Sequence, residues 1–310
     1  MSRLVRLTVI VIVDDWACLH PSAIRNWNKN MRRFLLLPIV FAMVSIVADA
    51  HAEVLNTVED VLDFGTVGQQ ADGIINGGQA CGPTSVYNSF VYLTNHFNLK
   101  GLLQPGDPSK TINQLGAYMG GTDPKTTGTP ADGVTSAQLV SGKKDYIAAQ
   151  GLQDRIHVES QSNAIAGNHV TIQFLYQQLK AGQDVEIKFN WSGRGAHFVT
   201  VYGIDFDTKT GKGTLNIIDP WTDGAGKASA SVITANLSGN NTDGFTISYS
   251  GGGAGASDDP DNPGDAGSGT IFSVAAESPV PEPSTLALLS LGGLGVGLNV
   301  LRRRRLTMSA

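Results

Sequence analysis

Cys81 sits in the run Gln79-Ala80-Cys81-Gly82-Pro83-Thr84-Ser85, directly ahead of an apolar-patterned stretch. A thiol at the start of a helix faces unsatisfied backbone N–H groups, which favour the thiolate. The chain has two cysteines, Cys18 and Cys81. Removal of an N-terminal segment leaves Cys81 alone. A lone thiol in an exported chain is a buried structural group, an intermolecular link or a nucleophile. A nucleophile needs a base. Of the six histidines, His20 and His51 fall in the N-terminal segment, and His96 lies too far along the cysteine's own helix. His157 and His169 lie in weakly patterned stretches. His197 opens the strand-like run His197-Phe198-Val199-Thr200-Val201-Tyr202-Gly203 after a glycine-flanked turn. An imidazole also needs an acceptor to fix its tautomer. Asp219 ends the next apolar run, before Pro220-Trp221. If the two runs pair as a hairpin, Asp219 and His197 meet at its open end. Asp205 and Asp207 fall at the closed end.

The elements that must hold these groups follow from periodicity. Val86, Phe90, Leu93 and Phe97 recur at helical spacing after Pro83, whose missing N–H costs nothing at a helix start. Residues 111–119, 135–150 and 171–180 read as further helices. Val185, Ile187 and Phe189 alternate with Glu186 and Lys188, as in a half-buried strand. Strands are also expected at 155–159, 197–204, 214–218, 231–233 and 245–249, with turns at 192–195 and 207–213. Residues 53–64 hold a short helix or strand. Helices dominate the first half and antiparallel strands the second, which indicates an α+β domain.

Both ends carry targeting patterns. Met31-Arg32-Arg33, an apolar run over 34–47 and the small residues around Ala50 and Ala52 form a secretory signal peptide over 31–52. Residues 1–30 are expected to be an extension from a wrongly chosen start. The folded domain is expected over 53–250, followed by a flexible Gly/Asp-rich linker over 251–279. Asp258, Asp259, Asp261 and Asp265 resemble a calcium loop loosely and lack its bidentate Glu. At 280–305, Val280-Pro281-Glu282-Pro283 precedes an apolar run and Arg302-Arg303-Arg304-Arg305. The run 286–301 spans roughly 24 Å as a helix, slightly short for a bilayer, and the arginines hold the C-terminus on the cytoplasmic side.

Two resemblances carry these patterns further. The tail over 280–305 resembles the PEP-CTERM sorting signal of Gram-negative bacteria. This implies a transmembrane helix, transient inner-membrane insertion through 286–301, an exosortase-type sorting partner, and delivery to the cell surface or extracellular matrix. The blocks around Cys81, His197 and Asp219 resemble papain-like cysteine peptidases of the C39-like group. That resemblance implies a papain-like cysteine peptidase fold, with an N-terminal helical part and its nucleophile helix packed on a C-terminal antiparallel sheet. It implies that Cys81 attacks a scissile carbonyl of a peptide or protein substrate, His197 carries the proton and Asp219 orients the imidazole. It also implies a glutamine amide for the oxyanion. Gln79 is the expected donor, although neither it nor Gln69 or Gln70 stands at the family's spacing.

The chemistry so described needs no metal and no cofactor. The net charge of −5 and the lack of a basic stripe in the central part argue against nucleic acid. The alternative is a surface or matrix-binding protein that keeps the fold without turnover.

Overall fold

Period-two patterning becomes a single sheet, and that sheet closes on itself. The computed structural model describes residues 53–123, 128–191, 194–221, 228–249 and 267–280. The expected extension, signal peptide, most of the linker and the apolar run 286–301 lie outside the described residues. The strands are β1 (Val54–Val58), β2 (Ile156–Ser162), β3 (Asp184–Trp191), β4 (Arg194–Asp207), β5 (Lys212–Asp219), β6 (Ser231–Asn240), β7 (Gly244–Tyr249) and β8 (Gly267–Pro279). The helices are α1 (Cys81–Phe97), α2 (Pro108–Gly120), α3 (Ser136–Ala149) and α4 (Ile172–Lys180).

β4, β3, β8, β7, β6 and β5 follow one another, and β5 pairs back onto β4. The result is a closed antiparallel barrel. β1 adds to β4 beyond β3, and β2 adds to β8 beyond β7. Closure depends on β4, which is 14 residues long. Its first half pairs with β3 and its second half with β5. Register shifts at Val201/Gly203 and at Lys188/Phe189 bend the strands where the sheet must curve.

The expectation of a helical part packed on a C-terminal sheet is therefore corrected. The strands form a barrel, and β1 and β2 from the first half of the chain join it. The linker expected over 251–279 is corrected as well. Its last part, Gly267–Pro279, is β8, a central strand between β3 and β7. Ile271, Val274 and Ala276 of β8 are buried in the barrel, so the folded domain runs past residue 250 to Pro279.

The barrel interior is filled by Val185, Ile187, Phe189, Val199, Val201, Leu215, Ile217, Phe245 and Ile247, among others, with Ile172, Leu175 and Leu179 of α4 joining them. A second core lies between the barrel's outer face and the remaining helices. There Val86, Phe90 and Leu93 of α1 meet Leu115 and Met119 of α2, Leu139 and Tyr146 of α3, and Phe198, Ile218 and Ala275 of the sheet. Each fully buried side chain of this kind contributes about 1.5–3 kcal/mol. Helix starts are fixed locally. Asp107 caps α2, and Thr135 and Gln138 form a reciprocal capping box at α3. Among the described residues no helix is long and apolar enough to cross a membrane.

α2 and α3 approach so closely that a Cβ on Gly142 would run into the backbone N and Cα of Met119. Gly142→Ala should therefore cost about 1–3 kcal/mol despite its better helix propensity. Urea denaturation checks this. A variant as stable as wild type would show that the helices part freely.

Candidate functional site

Cys81 is the first residue of α1, entered through the tight 3-10 turn Gly77–Gln79. Its helix has no side-chain cap at Ala80, so the first N–H groups stay available to the thiol. Gly82 lets the helix start approach its neighbours. A Cβ there would stand 2.7 Å from Val134 Cγ2 and 3.4 Å from both Leu139 Cδ1 and Phe198 Cδ2. Ser85 and β4 are tied twice: Ser85 Oγ donates to the Phe198 carbonyl at 3.0 Å, and Thr200 Oγ1 donates to the Ser85 carbonyl at 2.9 Å. These bonds set the helix start against the beginning of β4.

His197 lies on the interior side of β4 at the barrel mouth, beside the Phe189 ring. Asp219 ends β5 on the same side. The two side chains meet, with His197 Nε2 2.7 Å from Asp219 Oδ1. Asp219 is fully buried and further held by the Trp221 N–H at 2.8 Å and the Tyr249 hydroxyl at 2.9 Å. With Nε2 engaged by Asp219, Nδ1 is the nitrogen left for the thiol, and Cys81 and His197 lie near enough for each to shift the other's titration.

The electrostatics match this arrangement. Burial pushes the Cys81 thiol up. The His197 hydrogen bond, the imidazolium charge and the backbone groups of Phe198 and Gly82 outweigh it, so the thiol ends below its ordinary value. Burial pulls His197 down, but Asp219 first and then Cys81 raise it to about 10. The pair is thus biased toward thiolate and imidazolium. Cys81 as a residue is half-buried.

The structure brings Cys81, His197 and Asp219 together. It does not bring Gln79 with them by any hydrogen bond among the described residues, and Gln79 is exposed. Gln69 is buried instead. Its Nε2 donates to the Gly77 carbonyl at 2.9 Å, and its N–H donates to the Pro220 carbonyl at 2.8 Å. It braces the loop before Cys81 against the turn that carries Asp219. Sequence reasoning also missed Tyr249. The alternation of Phe245, Ile247 and Tyr249 marks a strand, but nothing in it points the hydroxyl at Asp219.

One other group of ionisable side chains is buried. Asp184, Glu186 and Glu277 offer oxygens within 4.8 Å of one another. Lys143 of α3 reaches in and pairs with Glu186 and Glu277, so a lysine ammonium stands among these carboxylates.

Compared with known protein families, residues 279–305 match the PEP-CTERM protein-sorting motif. No curated protein matches the chain significantly. The motif implies exosortase-dependent sorting of an exported chain to the envelope or surface of a Gram-negative cell.

Proposed function

We propose that the chain addressed by this sorting motif is a cysteine hydrolase of amide bonds, a peptidase in the broad sense, working through a thioester on Cys81. The observation that carries the reading is the His197–Asp219 hydrogen bond at the barrel mouth with Cys81 placed beside the same imidazole. The Cys81 thiolate attacks a carbonyl carbon, and the imidazolium of His197 gives its proton to the departing amine. The acyl group stays on sulfur. Neutral His197 then takes a proton from water as the hydroxide adds to the thioester; the carbon–sulfur bond breaks, the carboxylic acid departs, and thiolate and imidazolium are restored. Asp219 keeps Nε2–H fixed and stabilises the imidazolium in each half. Tyr249 and the Trp221 N–H keep Asp219 in place as an acceptor.

Cys81→Ala should abolish hydrolysis of a fluorogenic peptide library, a loss of about a thousandfold or more. Retained turnover in that variant sinks the reading. The exposure of Gln79 favours the rival, a surface or matrix-binding protein without turnover. That rival expects no hydrolysis by wild type even though Cys81 labels with a thiol reagent.

A further inference from the structure

Lys188 of β3 lies on the outer face of the barrel, directly across from Phe198. Its ammonium stands over two rings, 5.4 Å from the Phe198 centroid and 5.8 Å from that of Phe272. The second ring is there because of a bulge. Lys188 pairs with Ser273 and Phe189 with Ile271, so Phe272 is the extra residue of β8. Bulges re-aim side chains beside functional sites. The Phe198 ring also abuts Gly82, the neighbour of Cys81. Next to Lys188, Ser273 Oγ and Ser136 Oγ meet at 2.7 Å. Among the described residues, no ion pair joins Lys188 to a carboxylate, although the side chain is half-buried. A half-buried cation with no carboxylate beside it is costly, and the neighbouring rings give it only a weak partner. Burial pulls the ammonium below its ordinary value, and the charge of Cys81 opposes that pull.

From this geometry we infer that Lys188, set between Phe198 and Phe272, forms an anion subsite beside Cys81 that selects substrates carrying a carboxylate close to the carbonyl under attack. The ammonium pairs with the carboxylate, and the hydroxyls of Ser136 and Ser273 donate to its remaining lone pairs. The rings supply an apolar wall that weakens competition from water. A neutral isostere forgoes that pairing and is bound less well on that account. The inference rests on Cys81 being the nucleophile.

Bromoacetyl-glycine and bromoacetyl-glycinamide test it, since they alkylate a thiol alike and differ only in the carboxylate. Rates on the purified full chain are divided by those on a free thiol. Wild type should prefer the anionic reagent by about tenfold, equivalent to about 1.4 kcal/mol. Lys188→Met should lose that preference and slow far less with the amide than with the anionic reagent, since the cation also interacts with Cys81, whereas Lys188→Arg should keep both rates. Two results overturn the subsite: equal normalised rates in wild type, or a Lys188→Met variant slowed equally with both reagents. If neither reagent labels Cys81, the nucleophile reading fails, and the subsite falls with it. Circular dichroism of both variants separates these outcomes from misfolding.

Discussion

Replacing Lys143 by methionine should destabilise the chain by about 3–5 kcal/mol, because it leaves buried carboxylates without their cation. Lys143, Asp184, Glu186 and Glu277 are all essentially inaccessible to solvent. Burial pulls the lysine down, but Glu186, Glu277 and Asp184 raise it above its ordinary value. Burial, then Glu277 and Glu186, hold Asp184 well above the usual carboxylate range, and burial with Glu186 pushes Glu277 up to about 8. The signs then follow. The lysine's contribution is complete below its ordinary value and is lost only as pH rises beyond it. The contribution of the two raised carboxyls is complete below their ordinary values and fades as pH climbs toward about 8. With lysine present, a proton and an ammonium share the neutralisation. Without it, protons must do so alone. The cost of Lys143→Met should therefore be larger at pH 8 than at pH 5. Denaturant titrations at the two pH values measure this. A cost below about 1 kcal/mol at both would show that the cluster is wet enough to tolerate the loss.

His197→Ala should slow alkylation of Cys81 by iodoacetamide at pH 7 by about a hundredfold. The imidazole offsets the burial that otherwise raises the thiol. Once it is gone, burial is opposed only by the backbone groups of Phe198 and Gly82, and the thiol moves up toward its ordinary value of 9.0, where about one per cent is thiolate at neutral pH. The pH profile adds a signature. Wild type should label with an acid limb below that ordinary value, then hold a plateau until His197 loses its proton near 10. Peptide hydrolysis should fall on the alkaline side of the same point, since the leaving amine then lacks its proton donor. The alanine variant should show one rising limb at high pH. Equal labelling of the two proteins at pH 7 would dissolve the ion pair.

Local pattern revealed most elements and little of the closure. α1 begins at Cys81 as its spacing requires, and β3, β4 and β5 lie where alternation puts them. The meeting of His197 and Asp219 was also legible, because a hairpin's open ends coincide. Barrel closure was not. It depends on which strand accepts β8 as a neighbour, and β8 hides its alternation behind the bulge at Phe272. A stretch rich in Gly, Asp and Pro precedes it and makes the whole segment look like a spacer. The outer face of β3 misled for a different reason. Asp184, Glu186 and Lys188 occupy the polar positions of a period-two strand, which a one-sided sheet would leave in water. Helices cover that face here, so these charges are wholly or half buried and need partners from α3, β8 and the aromatic rings. Periodicity reports which residues share a face, not what lies over it.

The position of β8 fixes the timing of folding. Val185 to Trp191 must wait for a partner strand synthesised some eighty residues later, and closing so long a loop is entropically slow. The barrel cannot shut until β8 is available, and the sorting motif at 279–305 follows directly behind it. Phe272, and with it the ring wall of Lys188, arrives in the same last strand. A chain exported from its N-terminus therefore completes its ring late in passage, and the thiol's surroundings mature only with that last strand.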